Sequence, residues 1–167
     1  RNKADFYANM AANILAQKGF VVELAQRIVP TPVIAYNAKL KNACAIMFTA
    51  SHNPPEYLGI KFIPDYAGPA TSEITDKIIG NLDLDFECNQ NKHSIIKTDF
   101  FNSYYEHLKT IIDFEKIKSL KSNIIFDGLY SASIGYFNRI LDSENIEYSS
   151  FHMEHDTSFG GLMPDPK

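Results

Sequence analysis

Within its first fifty residues the chain alternates twice between a helix-forming stretch and a short apolar strand-forming run, joined by brief links. "DFYANMAANILAQK" (5–18) sets Phe6, Met10 and Ile14 beside Tyr7, Ala11 and Leu15 on one helical face, and Gly19 supplies a left-handed stop. "FVVEL" (20–24) is short, β-branched and apolar, as strands are. In "VPTP" (29–32), Thr31 stands where a cap belongs and Pro32 at the first helical position, predicting a helix through about Leu40. "ACAIMFTA" (43–50) then reads as a strand buried on both faces. Helix, strand, helix, strand with short links is the pattern of a parallel sheet covered by helices. In such sheets ligands bind beyond the carboxyl ends of the strands. Ser51 stands at such an end.

Further along, "GIKFI" (59–63) predicts a return strand and "PDYAGPAT" a turn-rich loop. Thr71 or Ser72 caps a helix through "EITDKIIGNL". Residues 82–97 lose periodicity and read as a connection. A helix is expected from Thr98, with Phe101, Tyr104, Tyr105, Leu108, Ile111 and Ile112 at helical spacing. "SNIIFDG" predicts a strand and turn, "SASIGYFNRILDS" a helix, and "IEYSSF" a further strand, so a second α/β unit begins here. "DTSFGGLMPDPK" is loop-like. The fold class expected is α/β, with mixed, mostly parallel sheets and helices on both faces, in two consecutive units that are both incomplete.

Composition narrows the function classes. With 45% hydrophobic residues the chain buries a core, yet no apolar run approaches the roughly 18 residues of a membrane helix. A net charge of −4 with scattered lysines gives no basic stripe, which argues against nucleic acid, and the lack of a long apolar run leaves no membrane partner expected. Cys44 and Cys88 show no CxxC spacing and read as reduced thiols of a cytoplasmic protein. The sequence starts at Arg1 without an initiator methionine or a signal peptide, so residues upstream are expected.

The loop "FTASHNPPEYLGIKF" (48–62) concentrates chemistry. A serine hydroxyl is a poor nucleophile without a base, but it makes a stable phosphate ester. Pro54 and Pro55 stiffen the backbone, His52 and Asn53 offer hydrogen bonds, and loop N–H groups can cradle an anion. Lys61 adds a positive charge able to settle a phosphate or shuttle a proton. Each piece suits a phosphorylated Ser51.

"TASHNPPEYLGIKF" resembles the active-site signature of the phosphohexomutases, the α-D-phosphoglucomutase and phosphomannomutase superfamily. "VPTP", "GPAT", "NIIFDGLYSASIGYF" and "FGGLMPDP" resemble further segments of its first two domains. The resemblance implies a first domain over 1–85 lacking its first strand, a connection at 86–97, and the amino-terminal portion of a second domain over 98–167. It implies an intramolecular phosphotransferase that interconverts 1-phospho and 6-phospho sugars through a hexose 1,6-bisphosphate. Ser51 would be the phosphoserine, and its phosphate a ligand of Mg²⁺ whose aspartates belong to a DGD motif. Lys61 matches the family's general acid/base, Arg1 the arginine closing a D-x-R motif, and His52 and Asn53 positions around the phosphate. The partners implied are a hexose phosphate and the third and fourth domains of a longer chain.

This sequence departs from the family in Leu58, which stands where asparagine is usual. It also contains no DGD motif, no third-domain sugar-selecting loop and no fourth-domain phosphate-binding loop. These 167 residues are therefore expected to be inactive alone. Two other classes compete: a serine hydrolase using Ser51 with His52, disfavoured because no GxSxG elbow surrounds the serine, and a non-catalytic fragment or binding module. His152 and His155, with Asp156 next, lack a third metal ligand at suitable spacing and read as solvated loop residues. Asp127 and Gly128 read as a strand-to-helix turn, and the aromatics of 100–105 as core. His93 and His107 suggest no role.

Overall fold

The structure, a computed structural model, describes residues 1–84, 94–120 and 122–165. In chain order the elements are α1 (Ala4–Gln17), β1 (Val22–Ala25), α2 (Thr31–Leu40), β2 (Ala45–Phe48), β3 (Ile60–Ile63) and α3 (Ser72–Gly80). There follow β4 (Ile95–Thr98), α4 (Phe101–Ile111), α5 (Phe114–Ser119), β5 (Ile124–Asp127), α6 (Phe137–Ser143), β6 (Tyr148–Phe151) and a 3₁₀ turn at Phe159–Gly161. The expected α/β class is what is found. β1 pairs with β4 and β5 with β6 in parallel, while β2 and β3 form an antiparallel hairpin. Among the described residues no helix is long and apolar enough to cross a membrane.

Several local expectations need correction. The strand at 43–50 does not join β1 in a parallel sheet; it folds back on β3, and Ile46 is exposed rather than buried. Thr31 makes no capping hydrogen bond: it lies inside the first turn of α2, and its hydroxyl reaches Met47 Sδ at 3.5 Å. Ile95–Lys97, placed in the connection, belong to β4, whose partner strand lies some seventy residues earlier; residues 86–93 of that connection lie outside the described residues. Thr98 closes β4 instead of opening a helix, and α4 starts at Phe101, whose N–H is accepted by Asp99 Oδ1 at 3.1 Å. The helix expected from Ser131 begins only at Phe137. Gly135 turns the backbone at φ +83°, and its N–H is taken by Asn138 Oδ1 at 2.7 Å. Thr71 caps α3 as expected, accepting from the N–H of Ile74.

α1 shows how side-chain size sets a packing face. Its large residues Phe6, Met10 and Ile14 are exposed, whereas Ala12 and Ala16 are buried. Small side chains let the helix backbone lie close over β1 and β2, which α1 contacts together.

The main core gathers Val33, Phe100, Phe101, Phe114, Tyr136, Ile140, Leu141 and Ile146. α2 thus packs in one cluster with α4 and α6, across the boundary drawn between the two units. Asn37, fully buried on α2, ties the same seam: its amide donates to the carbonyls of Val33 and Phe100, and its oxygen accepts from the Ser103 hydroxyl. A buried amide so satisfied avoids the penalty of lost hydration. Beside it, Asp99 Oδ2 meets Arg27 and Arg139, each at 3.2 Å, and the Arg139 guanidinium lies 3.7 Å from the centroid of the Phe101 ring.

Candidate active site

The β2–β3 hairpin carries the site. Its ladder runs one pair beyond the strands: Thr49 and Gly59 exchange both backbone hydrogen bonds, at 3.0 and 3.1 Å. A Cβ on Gly59 would stand 3.1 Å from the Thr49 carbonyl, so glycine permits this close approach. The chain then leaves the ladder and turns at once, with the Asn53 N–H closing on Ala50 O at 3.0 Å.

Ser51 occupies that turn at φ +53°, a left-handed conformation that non-glycine residues seldom keep unless their surroundings hold it. Two contacts hold it. Its N–H is donated to Thr49 Oγ1 at 3.1 Å, and its carbonyl accepts from Arg1 Nη2 at 2.5 Å. Arg1 Nη1 also donates to Pro54 O at 2.7 Å, so one guanidinium grips the loop at two points. Partial burial lowers the Arg1 pKa, and Glu56 opposes that effect. Arginine remains charged regardless.

Thr49, Ala50, Ser51, Asn53, Tyr57 and Leu58 line an open cleft of about 280 Å³ together with Gly59 and Lys61. Ser51 and Lys61, which the sequence set ten residues apart, therefore line the same cleft, and Asn53 joins them. Arg1 braces the loop through its backbone, and His52 lies beside Ser51, with Nδ1 3.4 Å from Oγ. Among the described residues no carboxylate orients His52, so the Ser–His pair lacks the third member that a hydrolytic triad requires.

Leu58, in the position where asparagine is usual in the resembled family, is a wall of the cleft. Thr49 and Tyr57 were not singled out from the sequence. Thr49 could have been, since it precedes Ser51 by two residues and carries a hydroxyl within reach of its N–H. Of the other candidates, Asp127 Oδ1 meets His152 Nδ1 at 3.0 Å and accepts the Leu129 N–H at 2.9 Å, a turn after β5 as expected. Asp156 accepts from Ser158 N–H, the Ser158 hydroxyl and Gly160 N–H, which lowers its pKa. Cys44 is free and exposed, and Cys88 lies outside the described residues.

Residues 1–86 match the family described as phosphoglucomutase/phosphomannomutase, alpha/beta/alpha domain I. The chain belongs to that family. Relatives of phosphoglucomutase type include a phosphoglucomutase of Komagataeibacter xylinus, 27% identical over 93% of this chain and 32% of its own. A cytoplasmic phosphoglucomutase of Bromus inermis is 32% identical over 72% of this chain and 26% of its own. A phosphoglucosamine mutase of Methanococcus vannielii is 30% identical over 83% of this chain and 31% of its own. Among solved structures, a Thermus thermophilus protein assigned as a phosphomannomutase superposes with a TM-score of 0.90 at 28% identity, covering 100% of this chain and 38% of that one. The chain therefore spans about a third of the length of the mutases it matches.

Proposed function

We propose that this chain is the phosphoserine-bearing part of a hexose-phosphate mutase, an intramolecular phosphotransferase. The observation that carries the reading is the cleft that Ser51 and Lys61 line together in a chain of this family. The phosphoryl group on Ser51 Oγ passes to a free hydroxyl of a hexose phosphate: the Oγ–P bond breaks, the sugar O–P bond forms, and the hydroxyl proton passes through Lys61, as general acid/base, to the departing Ser51 Oγ. After the bisphosphorylated sugar reorients, Ser51 Oγ takes back the other phosphoryl group: the sugar O–P bond breaks, the Oγ–P bond forms, and the Ser51 proton passes through Lys61 to the released sugar oxygen. Arg1 fixes the loop, while Asn53 and His52 surround the phosphate.

Mg²⁺ belongs to this reading through the phosphate on Ser51. Among the described residues no group of three or more His, Cys, Asp or Glu side chains could hold a metal ion. The described residues alone do not build a magnesium site. Its remaining ligands, with a third and a fourth domain, would come from a longer chain, so these 167 residues alone should be inactive. The substrate expected is a glucose or mannose phosphate, because "SHNPPEYLGIKF" and "GPAT" resemble the phosphoglucomutase and phosphomannomutase branches more than the glucosamine one; the relatives at 27%, 32% and 30% identity include phosphoglucomutases and a phosphoglucosamine mutase. A cytosolic site of action follows the same reading, as the name of the Bromus inermis relative states for that protein.

The test is intact-mass measurement and peptide mapping of the native protein, followed by assay of Ser51→Ala. One phosphoryl group on the Ser51 peptide, and loss of hexose 1-phosphate conversion in a folded variant, are the expected results. Wild-type turnover by Ser51→Ala in the complete gene product would refute the assignment.

A further inference from the structure

We propose that Phe159 is a positioning residue for the Ser51 loop and acts through Arg1. The proposal rests on reading Ser51 as the phosphoryl carrier. The Arg1 guanidinium carbon lies 4.9 Å from the centroid of the Phe159 ring, while its nitrogens donate to Pro54 and Ser51 carbonyls. A guanidinium held against an aromatic face keeps its in-plane N–H donors free, and attraction to the ring restrains the group. The ring thus limits where the two donors can point.

Phe159 is itself held firmly. It is 3% exposed although its backbone is left-handed at φ +56°. The carboxylate of Asp156 binds the turn through Ser158 and Gly160. The Asp156 N–H is donated to Tyr130 O, and the Tyr130 N–H to His152 O, which fastens the turn to the end of β6. Gly160, at φ +61°, lies where any Cβ would stand 2.5 Å from the Tyr130 ring. The path runs from the β5–β6 edge through Phe159 and Arg1 to the carbonyl of Ser51. Ser51 is left-handed, so its hydroxyl direction depends on the contacts that keep that backbone in place. Phe159 therefore sets the aim of Oγ without touching the reacting atoms.

Two measurements test this. Hydrogen exchange of residues 50–58 in the complete gene product should be about 3- to 10-fold faster in Phe159→Leu and near wild type in Phe159→Tyr, the range expected for losing or keeping a partly exposed cation–π contact. Arg1→Met, which leaves the Phe159 turn untouched, should give the same acceleration, and the double variant no more than either single one. In the complete gene product, Phe159→Leu should slow Ser51 phosphorylation by glucose 1,6-bisphosphate by a similar factor in kcat with little change in KM, and Phe159→Tyr should restore it. Unchanged loop exchange in both single variants, or additive effects in the double variant, overturns the proposal. Accelerated exchange with unchanged kcat overturns the positioning role. If the wild-type protein takes up no phosphoryl group at Ser51, the mutase reading and the catalytic role fail together, while loop exchange still decides whether the brace exists.

Discussion

Met47 and Lys61 stand opposite each other in the β2–β3 ladder, two residue pairs before the chain turns into Ser51. Because side chains alternate along a strand, this register puts Lys61 on the face shared by Gly59 and Thr49, which is the face of the cleft. Lys61→Met keeps the length and apolar stem but removes the amine to which the proposed mechanism gives the proton transfer. Activity of the complete gene product is expected to fall about 10²- to 10⁴-fold. The melting transition should hardly move, since Lys61 is exposed. Comparing the two numbers in one preparation checks both.

The close approach of Gly59 to Thr49 gives a second, purely local prediction. Gly59→Ala brings a Cβ against the Thr49 carbonyl, so the last pair of the ladder must open or shift. Faster amide exchange at Thr49 and Gly59, with β5 and β6 unaffected, is the expected outcome.

Asp99 serves three partners: the first N–H of α4 and the guanidinium groups of Arg27 and Arg139. Losing a helix-end acceptor costs about 1 kcal/mol, and each half-exposed ion pair adds roughly 0–1 kcal/mol. Asp99→Ala should therefore destabilise the chain by about 1–3 kcal/mol in urea unfolding, and Asp99→Asn by less. Equal losses in the two variants would show that charge, not the cap, dominates.

Asp156 gives a pH dependence with a definite sign. The hydroxyl and N–H of Ser158 and the N–H of Gly160 favour its ionised form and lower its pKa in the folded chain. The folded state then binds fewer protons than the unfolded one. This contribution is present above the ordinary aspartate value of about 3.9 and is lost as pH falls through the lowered folded value. Wild type should melt higher than Asp156→Asn at about pH 6, and the gap should begin to narrow only as pH falls below the ordinary aspartate value of about 3.9.

How much of this was legible in sequence divides along the range of the forces. The two strand stretches on either side of the loop, the loop itself and the cap at Thr71 were readable because apolar runs, prolines and a hydroxyl act on near neighbours, whereas the antiparallel pairing of those strands was not. β4 was not: its four residues carry no alternating pattern, and what makes them a strand is β1, far back in the chain. The same holds for Asp99, an ordinary polar residue until Arg27 and Arg139 converge on it. Phe159 reads as loop because nothing local marks it, and its role depends on Arg1 at the far end of the chain. The exposed face of α1 misleads for another reason: its periodicity is correct, but the smaller side chains, not the larger ones, allow close approach.

Val33 and Asn37 lie on the helix between β1 and β2, yet they are bound into the cluster formed by α4 and α6. A region packed in this way has no seam along which one half can melt while the other stays folded. Denaturation should pass through a single cooperative transition, with probes near Tyr36 and Tyr148 reporting the same midpoint. Any large motion of a longer chain that contains this region must then bend somewhere other than between these two units.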